Sequence, residues 1–173
     1  MERSDTNWGP EGVDLAVASL LRQSGFSLAL AESCSGGLIS KRITDIPGSS
    51  AYFLLGAVTY ANSAKMSVLG VPAELLLRHG AVSEEVAMAM ASGARGISGS
   101  DLALATTGIA GPDGGSREKP VGTVYIALMD ARGCRVHRYQ FGGDRDKVRE
   151  QTATAALELL CFYLEEELKN NCP

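Results

Sequence analysis

Metal-binding and export signals are scarce in this sequence. Histidine occurs twice, at His79 and His137, and the four cysteines, Cys34, Cys134, Cys161 and Cys172, include no Cys-x-x-Cys pair. That spacing offers no zinc pattern, so neither a metal nor a cofactor is expected. No apolar run reaches membrane-spanning length, and no basic-then-apolar leader opens the chain. Without an export signal the expected compartment is the cytoplasm, where thiols stay reduced. Basic residues are outnumbered 16 to 20, for a net charge of -4. An acidic chain with no basic stripe argues against direct nucleic-acid binding, although a local anion pocket stays open.

What is present fits one soluble domain. At 173 residues the chain is long enough to bury a core without a disulfide or metal staple. Residues 1–11 read as a flexible tail whose large apolar group is Trp8, and residues 12–170 read as the domain. Val13, Ala16, Val17, Leu20 and Leu21 recur at helical spacing. Ser27–Ala31 reads as a short apolar strand, Leu38–Ile46 as a helix and Tyr52–Tyr60 as a strand. Helices follow over Asn62–Leu69 and Pro72–Arg78, and Ser83 caps another rich in small residues. Asp101–Thr107, Val121–Met129 and Arg135–Phe141 read as strands, the last two joined by a tight turn, and Asp144–Leu168 as a long helix. This order predicts an α/β fold, a single-domain α/β/α sandwich with a mixed sheet. The small-residue helix suits close packing against either a second subunit or its own sheet.

Four glycine-flanked polar stretches sit at the junctions of these elements, where ligands of open α/β sheets bind. In Ala31-Glu32-Ser33-Cys34-Ser35-Gly36-Gly37-Leu38 a strand ends in small polar groups before a helix start. That geometry suits a nucleophile or anion site, but taken alone the stretch reads first as a strand-to-helix turn with a serine cap, a role open to Ser35. Tyr60 and Lys65, in VTYANSAK, can move protons once their pKa is lowered, and lysine can serve as base to serine. Thr107-Gly108-Ile109-Ala110-Gly111 begins a loop that lets backbone approach a ligand, but it is neither a Walker loop nor a GxGxxG. Arg145, in GGDRDKVR, opposes the helix dipole unless it faces a ligand such as phosphate or carboxylate. Cys34 is a rival nucleophile, because a thiol at a helix start can have a depressed pKa. On a continuing strand its side chain would point away from that of Ser33.

With these runs in view, the chain resembles the CinA C-terminal domain family, the nicotinamide-nucleotide amidases, in their stand-alone form. AESCSGGL, ITDIPGSSAYF, GAVTYANSAK, HGAVSEEV, TGIAGPDGGSREKPVGTVYIA and GDRDKVR match in order and spacing, from about Val13 to Leu168. The resemblance implies hydrolysis of nicotinamide mononucleotide to nicotinic acid mononucleotide and ammonia, a step in NAD recycling. It implies Ser33 as nucleophile, Lys65 as base and Tyr60 as assistant, with Thr107 and Arg145 at the site. Ser35, Gly36, Gly37, Asn62, Gly108 and Gly111 join them as candidate substrate contacts, and a homo-oligomer is expected. Ser35, Ala61 and Ser63 depart from the family pattern, and Ser63 replaces an acid near Lys65.

The expected chemistry is acyl transfer through Ser33, with its proton passing to Lys65 directly or through Tyr60. Lys65 must then be largely neutral, through burial or a neighbouring cation such as Arg145. Two backbone stretches compete to stabilise the oxyanion, Cys34–Gly37 and Gly108–Gly111. The alternatives are a non-catalytic pyridine-nucleotide binder and an accessory protein of competence or DNA damage.

Overall fold

The structure, a computed structural model, describes residues 10–170. Trp8 and most of the expected tail lie outside them, and the first helix already begins at Pro10, inside the stretch read as tail. Among the described residues the chain runs α1 (Pro10–Ser24), β1 (Leu28–Glu32), α2 (Leu38–Thr44), a 3-10 turn (Ser49–Ala51), β2 (Phe53–Val58), α3 (Asn62–Leu69), α4 (Ala73–His79), α5 (Glu84–Ser98), β3 (Leu102–Gly108), β4 (Thr123–Met129), β5 (Cys134–Gln140) and α6 (Arg145–Asn170). No helix among them is long and apolar enough to cross a membrane.

The strands form one mixed sheet in the order β2-β1-β3-β4-β5. β1 lies parallel to both β2 and β3, whereas β4 and β5 run antiparallel. Alternation within the strands decides which helices cover which face. Leu28, Leu30, Leu102 and Leu104 point with Val124, Ile126 and Leu128 into one core, shared with α1, α2 and α6. Ala29, Ala31, Ala103, Ala105 and Ala127 point to the other face, against Val86, Ala87, Met90, Ala91 and Ala94 of α5. A strand repeat of Leu-Ala thus builds a thick core on one side and a thin one on the other. Each fully buried leucine contributes about 2 kcal/mol.

Ala87, Ala91 and Ala94 of α5 are therefore spent on the chain's own sheet. At Gly93 an added Cβ would lie 2.8 Å from the carbonyl carbon of Leu69, so α5 and the end of α3 touch backbone to backbone. This contact seats α3, the helix that carries Lys65.

After β1 the chain leaves for the leucine face through α2, and after β2 it leaves for the alanine face through α3. The connections that follow the carboxyl ends of these adjacent parallel strands thus diverge, which marks the usual place for a ligand crevice in an open α/β sheet.

Candidate active site

Ser33 follows β1 directly. Its N–H donates to the Thr106 carbonyl over 3.0 Å, which ties it to β3. Gly36 (φ 64°) and Gly37 (φ 90°) then adopt successive left-handed conformations that turn the chain into α2. Lys65 approaches from α3 with a side chain that is 1% exposed. Its Nζ lies 3.0 Å from Ser33 Oγ, 2.8 Å from the Thr59 carbonyl and 3.3 Å from the Tyr60 carbonyl. Burial pulls the Lys65 amine below its ordinary value, while the nearby Cys34 thiol acts weakly the other way. A neutral amine here gives its two hydrogens to the two carbonyls and turns its lone pair to the serine hydroxyl. Of the two expected causes, burial and a neighbouring cation, burial supplies the depression, and Ser63 is exposed rather than packed at the amine.

The surroundings of the rival thiol disfavour a thiolate. β1 ends at Glu32, so the strand alternation expected for Cys34 does not extend to it. Its side chain packs into the leucine-side core while also lining the cavity at Ser33. Burial first, and the Glu32 charge in addition, push the thiol up to about 12, against partial lowering by neighbouring backbone N–H groups. It is protonated at neutral pH.

Seven of the expected residues surround one cavity of about 200 Å³: Ser33, Lys65, Tyr60, Asn62, Thr107, Gly108 and Arg145. Tyr60 is 59% exposed, and its hydroxyl accepts from Arg145 Nη2 over 2.7 Å. Arg145 Nη1 donates to the Gly111 carbonyl over 2.8 Å. Lys65 is in direct contact with Ser33, and the Tyr60 hydroxyl is held by Arg145. Thr107 Oγ1 donates to the Ala81 carbonyl over 2.7 Å and holds the Ala81–Val82 stretch against the cavity.

Ser35, Gly36, Gly37 and Gly111 stand apart from the cavity lining. The Ser35 side chain is fully buried and pairs with Thr106 Oγ1 over 2.8 Å, so it neither caps α2 nor reaches a ligand. Gly36 lies against the Arg149 guanidinium, and Gly37 against Val58. Gly111 takes part through its carbonyl alone.

Sequence reasoning overlooked Glu32. It is fully buried, and Oε2 accepts from the N–H groups of Gly37 (2.9 Å) and Ile39 (3.2 Å). Oε1 accepts from Ser40 N–H (2.7 Å) and Ser40 Oγ (2.6 Å). This carboxylate occupies the start of α2 that had been offered to an anion. Just before the helix, Gly36 N–H is also committed, to the Ser33 carbonyl. The signal in the sequence was an acid ending an apolar strand, but its partners lie five to eight residues on. Arg149 was missed as well; it donates to the Ser35 carbonyl from Nε (3.3 Å) and Nη2 (3.2 Å) and braces the turn from outside. Among the described residues no group of three or more His, Cys, Asp or Glu is placed to hold a metal ion.

Comparison with known proteins follows the same lines. A family model, the CinA C-terminal domain, matches residues 11–164. The chain belongs to the CinA C-terminal domain family. It is 64% identical over 152 residues to a CinA-like protein of Geobacter sulfurreducens, covering 88% of this chain and 37% of that one. A CinA-like protein of Syntrophus aciditrophicus is 52% identical over 165 residues, covering 95% and 39%. The chain therefore spans well under half the length of these CinA relatives. Among solved structures, a competence/damage inducible protein of Agrobacterium tumefaciens superposes with a TM-score of 0.86 at 42% identity, covering 90% of this chain and 95% of that one. A CinA superfamily protein of Klebsiella pneumoniae gives a TM-score of 0.88 at 34% identity, covering 91% and 99%. The mixed five-stranded sheet with helices on both faces is thus the CinA fold.

Proposed function

We propose that this CinA domain hydrolyses the carboxamide of nicotinamide mononucleotide, giving nicotinic acid mononucleotide and ammonia. The observation that carries the reading is the lysine amine 3.0 Å from a serine hydroxyl, fixed by two carbonyls at the edge of a cavity. Neutral Lys65 takes the Ser33 proton as Oγ bonds to the carboxamide carbon. Protonated Lys65 returns that proton to the departing nitrogen, the C–N bond breaks, and ammonia leaves an ester on Ser33. Lys65 then takes a proton from water, the hydroxide adds to the ester, and Ser33 leaves with the proton back. The net change is amide plus water to acid plus ammonia, with no metal or cofactor in the route.

Glu32 and the Ser33 carbonyl hold the Gly37 and Gly36 amides, so the oxyanion falls to the amides of Cys34 and Ser35 or to that of Ala110, which lines the cavity. Arg145, at the cavity mouth with Tyr60, is placed to meet the anionic end of a nucleotide.

The test is ammonia release from nicotinamide mononucleotide, with nicotinamide and a plain amide as comparisons. Release that depends on Ser33 is expected. No release by the wild-type chain, with binding retained in calorimetry, would leave a pyridine-nucleotide binder instead. Retention on DNA in a low-salt filter assay would favour the accessory reading.

A further inference from the structure

The chemistry above uses Ser33 and Lys65 but not the residue that precedes the serine. Glu32 is fully buried, and each of its four partners is an N–H or hydroxyl of the chain from Gly37 to Ser40. None of them is a lysine or arginine. A buried carboxylate is strongly unfavourable unless its lone pairs are filled, and here an otherwise unpaired helix start fills them. The same residue also leads to the base. The Glu32 carbonyl accepts from Thr59 N–H over 2.9 Å, and the Thr59 carbonyl accepts from Lys65 Nζ over 2.8 Å. Glu32 is thus bonded covalently to the nucleophile and lies two hydrogen bonds from the amine.

We infer that Glu32 is a positioning residue: its carboxylate locks the end of β1 to the first turn of α2 and so holds Ser33 Oγ within reach of Lys65 Nζ. It touches no substrate, being shut off from the cavity. Both oxygens accept two bonds each, so the isosteric Glu32→Gln must set an NH2 group against donors. Turned toward Ser40, whose hydroxyl can rotate to accept, it still faces the Ser40 amide. The first turn must shift, and Ser33 shifts with it. A misplacement on the order of 1 Å at a reacting atom slows chemistry by about 100-fold.

The inference rests on the proposed serine–lysine chemistry, and its test reads that chemistry without the nucleotide. A fluorophosphonate forms a bond from phosphorus to an activated serine Oγ as fluoride leaves, so its labelling of Ser33 reports the nucleophile directly. Limiting rate, half-saturating probe concentration and melting temperature are measured for wild type, Glu32→Gln, Ser40→Ala and a Lys65→Met control. Folded Glu32→Gln should label about 10- to 100-fold more slowly at an unchanged half-saturating concentration. A folded Glu32→Gln that labels at the wild-type rate, with only its melting temperature lowered, overturns the inference.

If Glu32→Gln does not fold, Ser40→Ala decides, because it removes one donor, at 2.6 Å, and keeps the carboxylate. It should slow labelling about threefold, and an unchanged rate overturns the inference. Wild type that labels at Ser33 but leaves nicotinamide mononucleotide intact overturns the substrate reading alone, and the variant rates still decide the role of Glu32. Wild type that takes no label at Ser33 overturns both.

Discussion

Lys65 Nζ reaches Ser33 Oγ over 3.0 Å from the opposite wall of the crevice between β1 and β2, with the Thr59 carbonyl behind it at 2.8 Å. Two residues 32 positions apart meet because parallel β1 and β2 end side by side and send their helices to opposite faces. General-base assistance of this kind is worth about 10²- to 10⁴-fold. Lys65→Met should therefore lose at least about 100-fold in turnover while staying folded. Lys65→Arg should fail equally, because a guanidinium keeps its protons. Ammonia release decides, and a Lys65→Met protein with more than about a tenth of wild-type activity would remove Lys65 as base.

The depressed Lys65 amine ties activity and stability to pH. Activity should rise as the amine loses its proton, with a midpoint below the ordinary value of 10.5. The sign for stability runs the same way. Between the lowered folded-state value and 10.5 the unfolded chain binds the proton and the folded chain does not, so raising pH stabilises the fold across that window. Below the window both states are protonated, and above it neither is, so this contribution is flat. Denaturant unfolding across the window should show a steeper rise for wild type than for Lys65→Met; equal slopes would contradict the assignment.

Cys34 should be dispensable for chemistry. Its thiol is 5% exposed and held near 12. Cys34→Ala should keep turnover within a few-fold and lower stability by about 1–2 kcal/mol, the cost of deleting a buried group in a packed core. An aromatic disulfide reagent should leave Cys34 and Cys161 unreacted in the folded state, with partly buried Cys134 reacting ahead of both. Loss of activity in a well-folded Cys34→Ala protein would reopen the choice of nucleophile.

Local signals made most of this fold legible. Helical spacing marked α1, the Ser83 cap marked the start of α5, and glycines marked the turns. Ser33, Lys65 and Arg145 stood out as candidates at glycine-flanked junctions, but each junction alone fitted a plain turn or a surface residue equally well, and their roles came from the family resemblance. What stayed hidden was long-range. Ser35 reads as a cap, yet its hydroxyl pairs with Thr106, 71 residues away. Glu32 reads as a polar strand end, because periodicity cannot tell a solvated acid from one that caps a helix three-dimensionally above it. The Leu-Ala repeats in β1 and β3 carry the two unequal cores, but they acquire that meaning only once β1 and β3 are known to be neighbours.

Arg145 and Tyr60 form the mouth of the cavity through a 2.7 Å bond between guanidinium and hydroxyl. Both are exposed, so the pair itself adds little to stability. In the proposed reaction the pair would orient a cation toward an incoming anion. Arg145→Ala should raise KM for nicotinamide mononucleotide by about tenfold or more, with a smaller change in kcat. Nicotinamide lacks the phosphate, so its weaker turnover should be insensitive to the substitution. Steady-state kinetics with both substrates separates the outcomes, and equal losses on the two would assign Arg145 to the chemistry rather than to the phosphate.

Gly93 links the packing of α5 to the chemistry. A Cβ there would fall 2.9 Å from the Leu69 Cβ and 2.8 Å from the Leu69 carbonyl carbon, and neither helix has room to yield cheaply. In an exposed helix, alanine for glycine would gain stability through helix propensity, by about 1 kcal/mol. Here overpacking opposes it with about 1–3 kcal/mol, so Gly93→Ala should be net destabilising. Because Leu69 ends the helix that carries Lys65, relief of the clash must push α3 outward and lengthen the Lys65–Ser33 contact. The expected result is a lower melting temperature together with a lower kcat, measured well below the melting transition. Gly96, on the same helix with open space around its would-be Cβ, is the control: Gly96→Ala should stabilise the protein and leave kcat alone. A Gly93→Ala protein that behaves like Gly96→Ala would break the connection between this helix contact and the position of the base.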